Sequence, residues 1–274
     1  MRFGLDVSQH QLTWPELADR VRFAEESGFD GAWVFDHFSA LYGDPSGPCL
    51  EGWTLLAALA AETSSIRLGA LVTGVTHRHP SVLTTEAVTV DHVSGGRVEF
   101  GIGAAWNENE HRSLGIPFPA TKERMQRLEE AIQVYRLLTT GEEVSFEGRY
   151  YTLDRARYRP RPLQQPHPPV WVGANGRQLG LPLAGRTADA WHAWSRDYEA
   201  KWDIVRAAAE KAGRDPARIL QSSSLSISES WTQVKDVHAR LAKAGVDYLI
   251  VGWPSEGKAR LDEFIREVMP DLGS

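Results

Sequence analysis

The sequence of 274 residues contains one cysteine, Cys49, so a single chain cannot form an internal disulfide. It also lacks any stretch of about 18 apolar residues, the length that a membrane-spanning helix requires. No apolar run of signal-peptide length follows Met1. We therefore expect a protein of the reducing cytoplasm that does not enter a membrane.

The chain also carries no excess of positive charge. The 36 acidic residues outnumber the 30 basic ones, and the formal net charge is −6. A diffuse negative charge disfavours binding to nucleic acids and to anionic membrane surfaces. A Gly-x-Ser-x-Gly nucleophile elbow is absent too, which argues against acyl-enzyme chemistry.

Apolar, β-rich segments alternate along the chain with segments that have helical periodicity. The predicted strands are Phe3–Asp6, Ala32–Phe35, Leu68–Val72, Val98–Phe100, Val170–Val172, Asp189–Trp191, Ile219–Ser223 and Tyr248–Val251. The predicted helices start at the capping box Thr13–Glu16, at Trp53, after Pro80, at Lys122, after Arg177, at Asp197, at Thr232 and at Lys258. Eight such units are the number that a (β/α)8 barrel requires to close.

We accordingly predict a single-domain α/β protein, a (β/α)8 TIM barrel that covers residues 1–274. Between helix 4 and strand 5 we expect a hairpin over Val144–Tyr151, turning at Glu147–Gly148, and then a proline-rich connection. A doubly wound open sheet is the competing fold. That fold ordinarily needs a phosphate-binding glycine turn after strand 1, where this chain has Gln9-His10-Gln11.

Strand 4 leads into a segment with the composition of a binding site. Gly101 and Gly103 allow close backbone approach, Trp106 is a large flat surface, and Asn107-Glu-Asn-Glu-His111 is a dense run of polar and titratable side chains. In a barrel of this type the site lies at the C-terminal ends of the strands. We therefore expect this segment to line the mouth of a ligand pocket.

Strand 2 ends in the pair Asp36-His37, the best candidate for handling a proton. A histidine at a strand end titrates near neutrality, and the neighbouring carboxylate could orient it or raise its pKa. The motif His77-Arg78-His79 suggests a metal site instead, and His192 is the only other strand-end histidine that is well placed to join it. Because the pair follows strand 3, immediately before a predicted helix start, we expect no bound metal.

Strand 5 ends in Gly173-Ala-Asn-Gly-Arg177. Small residues between a strand and a helix N-terminus expose backbone N–H groups that can hold a phosphate, and Arg177 adds a cation. We expect an anionic group of the ligand to bind at this turn.

Several motifs together resemble one family, the bacterial luciferase-like flavin and deazaflavin oxidoreductases, and in particular its F420-dependent branch. The similarity covers nearly the whole chain. The motifs are Phe35-Asp-His-Phe38, Arg67-Leu-Gly-Ala-Leu-Val-Thr73, Arg78-His-Pro80, Gly101-Ile-Gly-Ala-Ala-Trp-Asn-Glu108, Gly115-Ile-Pro-Phe-Pro119, Glu123-Arg-Met-x-Arg-Leu-Glu-Glu130, Phe146-Glu-Gly-x-Tyr-Tyr151 and Pro166-His-Pro-Pro-Val-Trp-Val-Gly173.

The resemblance implies a homodimeric (β/α)8 barrel that holds a deazaflavin ring over its strand ends. It also implies a non-prolyl cis peptide at Leu71–Val72 that supports the ring. The catalytic candidates are His37 and, as a substitute acid, Glu108. The expected cofactor-binding residues are Asp36, His37, Leu71, Val72, Thr73, Ala104, Trp106, Asn107, Gly173, Ala174, Asn175, Gly176 and Arg177.

The implied function is an F420-dependent oxidoreductase that transfers a hydride between the deazaflavin and an unidentified small organic substrate. One alternative is an FMN-dependent luciferase-like monooxygenase, which would receive reduced flavin from a partner reductase. The alternative from another class is a non-catalytic flavin- or F420-binding protein.

Overall fold

Eight parallel strands close into a barrel in the computed structural model, which describes residues 1–273. The ten strands in chain order, β1 to β10, are Arg2–Asp6, Gly31–Asp36, Arg67–Gly74, Val98–Gly103, Val144–Glu147, Thr152–Ala156, Val170–Gly173, Ala190–Ala193, Leu220–Leu225 and Tyr248–Gly252. The barrel order is β1-β10-β9-β8-β7-β4-β3-β2, and β5 and β6 form a separate antiparallel pair. The predicted barrel is thus confirmed. Of its predicted extent, Ser274 lies outside the described residues.

Helices follow the barrel strands and cover its outer surface. In chain order, α1 to α10 are Trp14–Glu26, Gly52–Glu62, Pro80–Ser94, Glu108–Leu114, Thr121–Thr139, Gly180–Thr187, Tyr198–Lys211, Trp231–Lys243, Lys258–Glu263 and Met269–Gly273. A 3-10 turn covers Pro216–Arg218, and a π-helical segment covers Phe264–Val268. Among residues 1–273, no helix has both the length and the apolar character needed to cross a membrane.

The half of the barrel nearer the strand N-termini is filled by large side chains. Trp33 donates to the Tyr248 hydroxyl at 3.2 Å, and Trp171 donates to the Glu99 carboxylate at 2.5 Å. A Cβ at Gly69 would lie 2.5 Å from the Trp33 ring, so the small residue makes room for the indole. This part of the barrel is therefore packed core, and in this fold ligands bind toward the C-terminal ends of the strands.

The predicted hairpin is wrong in its turn and in the bounds of its second strand. The turn covers residues 148–151 instead of Glu147–Gly148, and β6 continues to Ala156. The Glu130 carboxylate on α5 accepts hydrogen bonds from the backbone N–H groups of residues 149–151 at 2.8, 2.9 and 3.2 Å. Because those N–H groups bond to a helix side chain, they are not available for a strand ladder.

The segment after β4 contains a short helix, α4, that we did not predict. The Asn107 side chain caps it by accepting from the Glu110 N–H at 3.2 Å, and Gly115 ends it with φ +70°. Both are ordinary helix-end signals. The helix α4 places Glu110 and His111 against the barrel mouth.

Candidate active site

A cavity of about 240 Å³ opens at the C-terminal ends of β2, β3, β4 and β7. Its wall combines apolar side chains, glycines and three histidines. The lining residues are His37, Leu71, Val72, Gly74, His77, Gly103, Ala104, Ala105, Trp106, His111, Met125, Gly173, Ala174, Asn175, Gly176 and Gly180. Of the predicted cofactor-binding residues, nine line this cavity, whereas Asp36, Thr73, Asn107 and Arg177 do not.

A bulge in β3 forms one side of the cavity. The register of β3 against β2 and β4 shifts around Leu71 and Val72, and the peptide between these two residues is cis, as predicted. A Cβ at Gly101 would lie 1.8 Å from the carbonyl oxygen of Ala70, and one at Gly103 would lie 2.6 Å from Val72 Cγ2. These two glycines in the C-terminal half of β4 therefore leave the space that the bulge occupies.

His37 is held by a buried carboxylate from α4. Its Nδ1 lies 2.8 Å from Oε2 of Glu110, whose side chain is 1% exposed. The other carboxylate oxygen of Glu110 accepts from the backbone N–H groups of Phe38 and Ser39 at 2.8 and 3.1 Å. Because a carboxylate only accepts, Nδ1 carries the hydrogen and Nε2 is left for a ligand.

Burial raises the pKa of Glu110, but the hydrogen bond and charge of His37 and the Phe38 N–H outweigh it, and the pKa is lowered overall. Glu110 is therefore ionised at neutral pH. Within residues 1–273, Nε2 of His37 has no hydrogen-bond partner. His37 thus presents one free ring nitrogen to the cavity while an anion fixes the other.

Asp36 does not orient His37, contrary to our expectation. Its side chain is fully buried and accepts from Arg78 at 2.6 and 3.1 Å. Burial raises its pKa, but the His77 ring 3.6 Å away, the hydrogen bonds from Arg78 and the charges of both residues lower it overall. Successive side chains along a strand point to opposite sides, and Asp36 is the last residue of β2. The carboxylate next in sequence therefore points away from the imidazole.

His77 is buried between two carboxylates without a hydrogen bond to either. Its Nδ1 lies 3.6 Å from Asp36, its Nε2 lies 4.0 Å from Glu110, and its side chain is 2% exposed. Neither ring nitrogen has a hydrogen-bond partner within the described residues. His111 beside it donates from Nδ1 to the carbonyl oxygen of Asn107 at 2.7 Å, and its Nε2 bonds to the Thr76 hydroxyl at 2.6 Å.

His77, Glu110 and His111 each place a ligand atom within 4.8 Å of the others, an arrangement open to a metal ion. Two of the three are already engaged in hydrogen bonds. His192, which we considered as a further ligand, instead bonds to Ser222 and Ser224 at 3.0 and 3.1 Å. Burial lowers the pKa of His192 to about 4.

The remaining predicted residues after β3 and β4 have different surroundings. Thr73 is buried and accepts from the Trp53 indole at 2.8 Å. The Trp106 ring is 66% exposed, with its centroid 5.5 Å from that of His37, so it covers the imidazole from the solvent side. Asn107 caps α4, and Glu108, on the exposed side of that helix, does not reach the cavity.

The turn after β7 borders the opposite end of the cavity. A Cβ at Gly176 would meet no atom within 4 Å, so the backbone there is open. Arg177 is exposed and lies 4.0 Å from Asp197. Asn175 accepts from the Lys201 ammonium at 2.9 Å and from the Trp194 N–H at 3.2 Å. The predicted anion site thus adjoins a lysine that we did not predict.

We expected Glu110 and His111 at the mouth of the pocket but gave neither a specific role, and we considered His77 only as a metal ligand. The site residues that we missed are Met125 and Lys201. Their common feature is that they come from helices or from segments beyond the strand ends. The sequence did contain a signal for Glu110 and for Met125. Glu110 follows a helix-capping asparagine, and Met125 lies in a segment with helical spacing.

A family model described as luciferase-like monooxygenase matches residues 1–268. An F420-dependent glucose-6-phosphate dehydrogenase of Nakamurella multipartita is 36% identical over 221 residues, which cover 78% of this chain and 63% of that protein. An F420-dependent hydroxymycolic acid dehydrogenase of Mycobacterium tuberculosis is 34% identical over 225 residues, covering 81% of this chain and 61% of that protein. The chain therefore spans about three fifths of the length of these curated relatives.

Among solved structures, an F420-dependent secondary alcohol dehydrogenase in complex with an F420-acetone adduct superimposes with a TM-score of 0.86. The two share 20% sequence identity, and the match covers 99% of this chain and 98% of that one. At this identity the likeness establishes the barrel fold.

Proposed function

We propose, because the chain belongs to the luciferase-like monooxygenase family, that it is an F420-dependent oxidoreductase acting on a small organic substrate. The observation that carries the proposal is His37, an imidazole that a buried carboxylate holds at the wall of an apolar cavity. The F420-dependent relatives at 34% and 36% identity support the same cofactor.

The residues around the cavity fit a flat conjugated ring with an anionic arm. Leu71 and Val72 offer an apolar surface on one side, and Gly103 and Gly173 keep that side free of further side chains. At the far end the open backbone of Gly176 leads into the N-terminus of α6, where N–H groups face an incoming anion. When bound, the deazaflavin supplies the carbon that accepts or releases the hydride.

The chain's own contribution is to orient the substrate and to move a proton. Nε2 of His37 is the atom that takes a proton from a substrate hydroxyl or returns one to a carbonyl. Glu110 keeps the hydrogen on Nδ1, which leaves the electron pair of Nε2 available to the substrate. Trp106 limits the access of water to that nitrogen from outside.

Titration with F420 and with FMN, followed by fluorescence quenching, tests this proposal. We expect F420 to bind more tightly than FMN. Tight FMN binding without measurable F420 binding would overturn the assignment and favour an FMN-dependent monooxygenase with a partner reductase. Tight F420 binding without turnover of any alcohol, imine or activated alkene would indicate a non-catalytic binding protein.

The location and assembly that we propose are a cytoplasmic homodimer in which residues 1–274 form one domain. The single cysteine supports a reducing compartment. Light scattering coupled to size-exclusion chromatography tests the assembly, and elution at the monomer mass would refute it.

A further inference from the structure

His77 places a ring with two unpartnered nitrogens at the wall of the cavity. Its side chain is 2% exposed, and neither nitrogen has a hydrogen-bond partner within residues 1–273. A Cβ at Gly74 would lie 2.9 Å from Nε2, so the glycine makes room for the ring. Leaving a buried polar atom without a partner is unfavourable. The ring is therefore a candidate ligand for a group that is not part of the chain.

Two histidines in this wall have an acceptor behind Nδ1. Nδ1 of His77 faces the Asp36 carboxylate at 3.6 Å, and Nδ1 of His111 donates to the carbonyl oxygen of Asn107 at 2.7 Å. An acceptor at Nδ1 favours the tautomer with its hydrogen there, which leaves an electron pair on Nε2. Histidines that bind metal ions usually have such a carboxylate or carbonyl oxygen behind them.

The Glu110 carboxylate supplies a third ligand. Its Oε2 lies 4.0 Å from Nε2 of His77, and one ligand atom from each of His77, Glu110 and His111 lies within 4.8 Å of the other two. Ligand atoms around a tetrahedral zinc ion are about 3.4 Å apart, so modest side-chain rotations bring these three around an ion. His77 and His111 line the cavity, which leaves the fourth position open to it.

The wall behind these side chains carries more negative than positive charge. Arg78 forms ion pairs with three carboxylates, those of Asp36, Glu51 and Glu86. Within residues 1–273 no lysine or arginine pairs with Glu110. Four carboxylates thus share one guanidinium, an arrangement that attracts a further cation.

Two existing contacts decide what an ion must displace. The Thr76 hydroxyl lies 2.6 Å from Nε2 of His111, and a hydroxyl can rotate away from it. Oε2 of Glu110 lies 2.8 Å from Nδ1 of His37. To reach an ion between the two other histidines, this oxygen has to turn away from His37.

We propose that His77, His111 and Glu110 form a binding site for a divalent transition-metal ion of the Zn²⁺ type, which two imidazoles and a carboxylate suit. We also propose that the ion inhibits the enzyme by drawing Glu110 away from His37. Only this second part rests on the proposed function.

The site differs from the one that we considered in the sequence. Our expectation that no metal binds at His77-Arg78-His79 concerned His77 together with His79 and His192. His79 is exposed and accepts from the Ser81 N–H at 3.2 Å, and His192 bonds to two serines. The two sets of ligands share only His77.

The experiment measures zinc binding to the full chain, purified without a histidine tag and freed of metals with a chelator. Calorimetric titration with zinc chloride gives the dissociation constant and the stoichiometry for wild type, His77→Phe, His111→Gln and Asp36→Asn. His79→Asn is the matched control, because it removes the neighbouring histidine and asparagine can replace it as the cap of α3.

We expect wild type and His79→Asn to bind one zinc ion per chain with equal affinity. His77→Phe and His111→Gln should each weaken binding by at least about a hundredfold, because each removes a ligand. Asp36→Asn should weaken it about ten- to a hundredfold, because it removes the carboxylate behind Nδ1 of His77. In nitrogen-15 spectra of wild type, zinc should shift Nε2 of His77 and of His111 and leave His79 unchanged.

Equal zinc affinity of wild type and His77→Phe would refute the site, and so would an equal loss in His77→Phe and His79→Asn. No measurable zinc binding to wild type would refute it as well. Protonation of both ring nitrogens of His77 would then identify the ring as a cation between Asp36 and Glu110. If His77→Phe does not fold, His111→Gln carries the test.

Turnover with and without zinc tests the inhibition. Zinc should lower the rate of wild type, a chelator should restore it, and His111→Gln should need about a hundredfold more zinc for the same effect. Zinc binding at the site without inhibition would refute the second part alone. If wild type binds FMN and not F420, the proposed function fails, and the calorimetry and the nitrogen-15 spectra still decide whether the metal site exists.

Discussion

Replacing Glu110 by glutamine isolates the role of the carboxylate that holds His37. Glutamine keeps the size of the side chain, and its amide oxygen can still accept from the Phe38 and Ser39 N–H groups. The amide nitrogen then faces Nδ1 of His37, where the carboxylate oxygen lies at 2.8 Å. Two donors cannot share that contact, so the imidazole must move its hydrogen to Nε2.

The change affects the reaction through the tautomer and through the charge. An imidazole with its hydrogen on Nε2 has no free electron pair facing the cavity, so it cannot take a proton from the substrate. The charged hydrogen bond that is lost is worth about 1.5–3 kcal/mol. We therefore expect kcat to fall by roughly ten- to a hundredfold, because 1.4 kcal/mol corresponds to a factor of ten. Cofactor affinity should change little, since Glu110 does not line the cavity.

The assay measures kcat at saturating cofactor and substrate, and the cofactor dissociation constant by fluorescence. The nitrogen-15 shifts of His37 give a readout that needs no substrate. Wild type should show a protonated Nδ1, and Glu110→Gln a protonated Nε2. Glu62→Gln, which removes a surface carboxylate paired with Arg22, is the control for a general effect of lost charge.

Two results would refute this reasoning about Glu110. One is an unchanged kcat together with a changed His37 tautomer, which would mean that His37 does not handle the proton. The other is an unchanged tautomer, which would mean that Glu110 does not set it. A fall in kcat with an equal loss of cofactor affinity and a lowered melting temperature would indicate a structural role.

Three further predictions concern single side chains. His37→Ala should lower kcat about 10²- to 10⁴-fold while the cofactor dissociation constant changes little, and its pH–rate profile should lose one limb. Glu108→Gln should keep kcat within a few-fold of wild type because Glu108 does not line the cavity, and a larger fall would assign the proton to Glu108. Glu25 accepts from the backbone N–H groups of residues 64–66, and although burial raises its pKa, these bonds lower it to about 2 from 4.5. Glu25→Gln should therefore cost about 1–2 kcal/mol of unfolding free energy at pH 7, a value reduced for solvent screening. In denaturant titrations, the difference from wild type should persist above pH 4.5 and vanish as pH falls toward 2, and a difference independent of pH would contradict the ionic explanation.

The barrel could be predicted because its signals are local. Most barrel strands are short apolar segments, and several helices begin with a recognisable cap, such as the Thr13–Glu16 capping box. The position of the cavity could be predicted as well, because the small residues at Gly103 and Gly173–Gly176 mark strand ends that converge at one side of the barrel. Neither inference required knowledge of which side chains meet across the fold.

The partner of His37 could not be predicted for the opposite reason. Glu110 lies 73 positions along the chain from His37, on a seven-residue helix. Sequence proximity favoured Asp36, which the structure pairs with Arg78. Lys201 was missed in the same way, because its contact with Asn175 joins α7 to the turn after β7, 26 positions away.

The separation of His37 from Glu110 has a consequence for how the site forms. His37 follows β2 and Glu110 follows β4, and β3 lies between these two strands in the barrel. The 2.8 Å contact between His37 and Glu110 therefore forms only when β2 and β4 both pair with β3 in the observed register. The bulge at Leu71–Val72 shifts that register. Gly101 and Gly103 leave room for the bulge, so they influence the imidazole although neither touches it. The packing of three strands thus positions Nε2 of His37. The sequence shows that a histidine is present at this strand end, but it does not show this position.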